Sequence, residues 1–179
     1  MEDKYLLEKI RNSDSRNYGF NLLVRDYQER IYWHIRKMVI DHDDADDLVQ
    51  EVFIKVWKGI DKFREDASLF TWIYKIATNE CLTFLTKKKR RFFLPLTDVE
   101  SELATKVDTN SQLDGNDIQL KLQKALLKLP DKQRLVFNMK YFDEMKYEEI
   151  ALITETSVGA LKASYHHAVK KIEEIITHD

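Results

Sequence analysis

Glycine and proline are scarce here, with only 4 Gly and 2 Pro in 179 residues. Hairpins and tight turns draw on those two residues, so the chain has little material for strands and reads as all-helical. A single cysteine, Cys81, excludes an intramolecular disulfide and fits a reducing compartment. No apolar run approaches the ~20 residues of a membrane-spanning helix. The opening MEDKYLLEKI also lacks the cationic start and apolar core of a secretory signal, so the expectation is a cytoplasmic protein without membrane insertion. An excess of one charge is missing too. The balance of 29 Lys and Arg against 31 Asp and Glu leaves -2, and any binding of nucleic acid must come from local segregation of charge. His34, His42, His166, His167 and His178 have no zinc-ligand spacing, and no Gly-rich phosphate loop or nucleophile motif occurs. Neither metal nor cofactor nor catalytic residue is expected.

What the chain does have is segregated. From Asp43 to Arg91 two amphipathic helices are joined by a polar elbow. In the first, Leu48, Val49, Val52, Phe53, Val56, Trp57 and Ile60 recur at helical spacing and make one broad apolar stripe. Gln50, Glu51, Lys55 and Lys58 take the opposite face. Asp43, Asp44, Asp46 and Asp47 crowd the helix start, where carboxylates meet unpaired backbone N–H groups and the positive end of the dipole. One or two would serve that purpose. The excess suits either a surface offered to a basic partner or a solvated helix start. The second helix runs from an N-cap at Ser68 to the basic end Lys87, Lys88, Lys89, Arg90 and Arg91. Its stripe is Leu69, Ile73, Ile76, Ala77 and Phe84, with Trp72 and Tyr74 off centre beside Lys75, Thr78 and Asn79. Aromatics stack on unpaired bases, cations neutralise phosphates and amides read base edges, so this face suits melted nucleic acid; alternatively the two aromatics widen the core.

The flanking pattern is helical as well. Tyr5 to Ile10 predicts a short helix broken by the polar run Asn12 to Asn17 and by Gly19. Tyr18 to Val39 predicts a longer one with Phe20, Leu23, Val24, Tyr27, Ile31, Ile35 and Met38 inward. After Phe92, Phe93, Leu94, Pro95 and Leu96 comes an acidic stretch with weak periodicity. It has the composition of a flexible linker, or of an acidic strap lying in a cationic channel. Helical pattern returns from Ile118 to Leu129, and Pro130 with Asp131 starts a helix reaching Tyr141. Tyr147 to Ile153, the turn Thr154-Glu155-Thr156 and a helix from Ser157 to Ile176 have the pattern of a helix-turn-helix. Val158, Leu161, Tyr165, Ala168 and Ile172 point inward on the last helix. Small residues at its outward front would let the backbone approach a DNA groove. The predicted fold class is all-α, with two small helical domains at 1–91 and 117–179 joined by a flexible acidic linker at 92–116.

The acidic helix start, DLVQEVFIKVW, the FRED elbow and FTWIYKIATN resemble the second conserved region of extracytoplasmic-function (ECF) sigma factors, promoter-recognition subunits of bacterial RNA polymerase. LPDKQRLVFNMKYFDEMKYEEIALITETSVGALKASYHHAVKKI resembles their fourth region. The resemblance implies an alternative sigma factor that binds core polymerase, reads the minus-35 element as duplex and melts the minus-10 element. It implies that Asp46, Asp47, Gln50, Glu51, Phe53 and Val56 dock on the beta-prime clamp helices, and that the second domain meets the beta flap. Phe63, Arg64 and Ser68 would line a pocket for an everted base, Trp72 and Tyr74 would support the melted strand, and Asn79 would contact a base. Lys75, Lys87, Lys88 and Arg90 would hold phosphates. Ser157, Gly159, Ala160, Lys162, Ser164 and His167 would lie nearest the minus-35 duplex. The implied partners are core polymerase, promoter DNA and an anti-sigma factor, and the implied free state is a monomer. Two departures stand out. Glu155 occupies a turn position often filled by glycine, which demands either a strained backbone or a different turn. Ser164 and His167 stand where arginines are frequent, which lowers phosphate affinity and makes it pH-dependent.

Two other readings compete. Asp43, Asp44, Asp46 and Asp47 fit the DDxxD pattern by which helical prenyl-transfer enzymes hold magnesium diphosphate, but the chain is short and shows no second acidic cluster. An ordinary helix-turn-helix regulator would be a stable dimer that binds duplex without polymerase. The separation of an acidic helix from an aromatic one favours the sigma reading.

Overall fold

Periodic apolar residues with few breakers make the described residues, 3–91 and 117–178 of a computed structural model, helical with short connections. The predicted linker at 92–116 lies outside them. The first group holds α1 (Asp3–Arg11), α2 (Arg16–Val39), α3 (His42–Gly59) and α4 (Leu69–Arg91), with a 3-10 turn at Ile60–Lys62 leading into the elbow. The second holds α5 (Asp117–Leu127), α6 (Asp131–Tyr141), α7 (Tyr147–Thr154) and α8 (Val158–His178).

One local expectation needs correction. Gly19 does not break a helix: it is buried inside α2, where a Cβ would come within 2.7 Å of Lys9 Cβ and 2.9 Å of the Ile10 nitrogen. Its lack of a side chain lets α1 lie against the α2 backbone. The start of α3 is capped by Asp41, whose carboxylate accepts from the Asp44 N–H at 3.0 Å, so Asp43 and Asp44 already belong to the first turn.

Buried apolar side chains form one continuous cluster across both groups. Ile31, Ile35, Met38, Val56 and Ile73 on one side meet Leu135, Met139, Ile150 and Ile153 on the other. A smaller cluster, Ala125, Leu126, Leu129, Phe137, Ala168 and Ile172, joins α5, α6 and α8. The seam is also hydrogen-bonded. Arg134 Nη2 donates to the Met38 carbonyl at 3.1 Å and Asn138 Nδ2 to the Lys37 carbonyl at 3.4 Å. Those carbonyls lie in the last turn of α2, which has no N–H of its own to offer them, and the second domain supplies the donors. Because α4 packs on α2 and α3 on one side and on α7 on the other, its buried surface is wider than the predicted stripe and takes in Thr71, Tyr74, Thr78, Cys81 and Leu85. Burial pushes the Cys81 thiol up to about 12, so it stays protonated and inert.

Candidate functional site

The acidic helix α3 shows a charged face and an apolar face. Asp46, Asp47, Gln50 and Glu51 are exposed, whereas Phe53 is 7% and Val56 0% exposed. Phe53 and Val56 therefore belong to the core and cannot meet a partner directly, since the stripe that buries Leu48 and Val52 carries them inward. The apolar group on the outward face is Ile54, 52% exposed and three and four residues beyond Glu51 and Gln50. Helical spacing from the acidic residues would have singled it out. Asp44 receives Lys88 Nζ at 3.0 Å, and His42 Nε2 lies 3.5 Å from Asp46 Oδ2. Those contacts leave Asp47, Gln50, Glu51 and Ile54 as an outward row.

The elbow residues Phe63 to Ser68 lead into α4. Ser68 caps that helix, its Oγ accepting from the Thr71 N–H at 3.1 Å. Arg64 and Ser68 are exposed, but Phe63 is 8% exposed and packs on Trp72, ring centroids 5.0 Å apart. Phe63 thus forms the floor of the elbow rather than an open wall. The half-buried Trp72 indole lies over Gly59, where a Cβ would come within 3.2 Å of it. Tyr74 sits two residues on, roughly 200° around the helix, and points away from Trp72. It is 3% exposed, its ring tilted against those of His34 and Phe70, with its hydroxyl donating to Asp143 Oδ2 at 2.7 Å. The two aromatics therefore do not share an open face, and Tyr74 is covered by the second domain. Asn79, Lys87 and Arg90 are exposed. Lys75 donates to Glu155, Lys88 is held by Asp44, and Lys89 donates to Asp131 at 2.7 Å.

Asp143 is the centre of the seam. Lys37 Nζ and the Tyr74 hydroxyl donate to it, and His34 Nδ1 stands 3.5 Å from Oδ2, too long for a well-formed hydrogen bond. Burial alone pushes this carboxyl up, but the contacts with His34 and Lys37 outweigh it and hold the group at about 2. His34 is 0% exposed, and burial lowers its pKa more than the neighbouring carboxylate raises it. The ring is neutral, with Nε2 paired to Thr78 Oγ1 at 3.0 Å and Nδ1 on the side of Asp143.

Helices α7 and α8 form the helix-turn-helix. Glu155 adopts φ 54° and ψ 38°, so the turn keeps its left-handed geometry with a residue that has a Cβ. Ser157 caps α8, accepting from the Ala160 N–H at 3.3 Å. Ser157, Gly159, Ala160, Lys162 and His167 are exposed and Ser164 is half-buried, while Leu161, Ala168 and Ile172 are buried. The front of α8 is thus a small-residue surface with open space at Gly159, followed by cationic and imidazole groups.

This arrangement matches known proteins along nearly the whole chain. The family model for Sigma-70 region 2 matches residues 23–91, and that for Sigma-70, region 4, residues 119–172. The ECF RNA polymerase sigma-E factor of Escherichia coli (strain K12) is 31% identical, covering 97% of this chain and 93% of its own. The RNA polymerase sigma-H factor of Pseudomonas aeruginosa is 29% identical, covering 98% and 94%. Among solved structures, CnrH in complex with the cytosolic domain of CnrY shares the fold with a TM-score of 0.70 at 22% identity, over 99% of this chain and 98% of that one. The sigma factor RpoE in complex with the anti-sigma factor NepR from Bartonella quintana gives 0.67 at 22% identity, over 89% and 98%. The two matched regions, in order, and the full-length relative place this chain in the family of extracytoplasmic-function sigma factors of bacterial RNA polymerase.

Proposed function

We propose that this alternative sigma factor docks on the beta-prime clamp helices through the outward row Asp47, Gln50, Glu51 and Ile54 of α3, with the second domain on the beta flap. The observation that carries the reading is a helix whose stripe residues Leu48, Val52, Phe53 and Val56 are buried in the core while its opposite face presents carboxylates and one exposed isoleucine. Such a face suits a basic partner with a small apolar contact at its centre. Promoter reading follows from the rest: Arg64, Asn79, Lys87 and Arg90 meet the melted minus-10 strand, and Ser157, Gly159, Ala160, Lys162, Ser164 and His167 meet the minus-35 duplex. Tyr74, Lys75 and Lys89 are engaged by Asp143, Glu155 and Asp131, so their use on DNA requires the seam to part. Core polymerase, gripping the two domains at separate places, would part it. An anti-sigma factor would hold it closed, and the free chain would be a monomer.

The test is titration of labelled protein with purified bacterial core polymerase. Asp47→Lys combined with Glu51→Lys should weaken core binding about tenfold or more, because like charges then face each other. Asn79→Ala should leave core affinity unchanged and slow promoter opening. Unchanged affinity in the charge-reversed protein removes the docking assignment.

A further inference from the structure

We propose that α1 and the start of α2 form a buttress that sets the shape of the elbow, with Arg11 as the positioning residue for base selection there. The proposal rests on the reading that the elbow receives a minus-10 base.

The elbow has no regular backbone ladder to hold it, and Glu65 sits at φ 60°, a region unfavourable to a residue with a Cβ. Something outside must fix it. Arg11 bonds both flanks of the bend: Nη1 donates to Glu65 Oε1 at 2.7 Å and Nη2 to the Phe63 carbonyl at 3.2 Å. Both ends of the elbow are tied down as well. Arg16 grips the two oxygens of Asp61 at 2.8 and 2.9 Å while lying over the Trp57 ring at 4.6 Å. Asp3 Oδ2 accepts from the Leu69 N–H at 2.9 Å, and its other oxygen accepts from the Tyr27 hydroxyl.

The platform itself is closely packed. Leu6 and Ile10 are 0% exposed, Gly19 brings the backbones of α1 and α2 together, and Ser15 Oγ donates to the Lys9 carbonyl at 2.9 Å. All three clamps, Asp3, Arg11 and Arg16, precede the segment that matches region 2, which begins at residue 23. Arg11 and Glu65 are each close to half exposed, so their ion pair contributes little to stability. Its effect is geometric, because a planar guanidinium on two acceptors fixes their separation. Between the clamps, Arg64, Asp66 and Ser68 are left outward, where a base would meet them.

The experiment uses the full chain with core polymerase on a template library randomised across the minus-10 element, reading enrichment of the preferred base over the others. Arg11→Ala should reduce that discrimination about tenfold, within the range a single base-pair mismatch spans, with core affinity unchanged. Arg11→Lys restores the charge but not the two-acceptor fork and should not rescue; full rescue by Lys overturns the positioning role. Equal loss on every template overturns it too. Hydrogen exchange of the free protein supplies a second readout, and Arg11→Ala should speed exchange at 63–68. Unchanged exchange there overturns the buttress whatever the elbow reads. If exchange rises while discrimination stays, Arg64→Ala separates the two claims. A shift with Arg64→Ala overturns the role of Arg11, and no shift overturns base reading by the elbow together with the proposal.

Discussion

Asp143 shows how much one carboxylate can organise. It is a loop residue between α6 and α7, yet it receives Lys37 and Tyr74 from the first domain and faces buried His34. With 13% of its side chain exposed, it is poorly compensated by water if its partners leave. Asp143→Asn keeps the shape but gives up the charge-assisted bonds, and should destabilise the chain by about 2 kcal/mol, the scale of a hydrogen bond to a charged group. Urea unfolding followed by circular dichroism checks this. A midpoint equal to that of the parent chain would mean that the seam is held by apolar packing alone. Nothing in the local sequence YFDEMKY marks Asp143 as special, because its partners are far away along the chain.

At the scale of the element, the α7–α8 turn carries a strained position. Glu155 at φ 54° accepts a conformation that glycine takes without steric cost. Its carboxylate meets Lys75, which holds its pKa below the usual range, but that contact is at the surface and contributes little. Glu155→Gly should therefore raise the melting temperature by about two degrees, the relief of strain exceeding the lost ion pair and the added freedom of the unfolded chain. Differential scanning calorimetry would show it, and a lower melting temperature would mean that the Lys75 contact dominates. The need for an unusual turn was visible in the sequence, since a short turn between two helices calls for a left-handed residue. That Glu155 also reaches α4 was not.

For the whole molecule, the buried imidazole at the seam sets a pH dependence. His34 is neutral in the folded chain, with Asp143, Lys37, Tyr74 and Thr78 around it. Its folded pKa lies below the unfolded value of about 6.5, so below that pH the unfolded chain binds more protons. Stability should rise with pH through the window just under 6.5 and level off above it. Asp143 adds a separate loss only at much lower pH, as protonation approaches its folded value of about 2. Thermal melts between pH 5 and pH 8 should show the His34 dependence, and His34→Gln should flatten it. A slope that persists in that variant would assign the effect to another group.

Periodicity is a property of one helix and needs no neighbour, so the sequence by itself determined the helices and which charged residues of α3 and α8 face outward, while the family was legible only as a resemblance of whole motifs. Asp47 and Glu51 could be placed opposite Leu48 and Val52 from spacing alone. Only the tertiary structure decided what happens to α4, which carries apolar or aromatic groups on more than one side. Whether Tyr74 faces DNA or core depends on what packs against it, and α7 with the Asp143 loop supplies that cover. The burial of Phe63 likewise depends on a neighbour, the Trp72 ring that it packs against. The role of α1 was also illegible, since Arg11 and Asp3 act on residues 52 to 66 positions away. Local spacing carries no record of such contacts. They arise when burial of Leu6 and Ile10 against α2 brings a short helix beside the elbow.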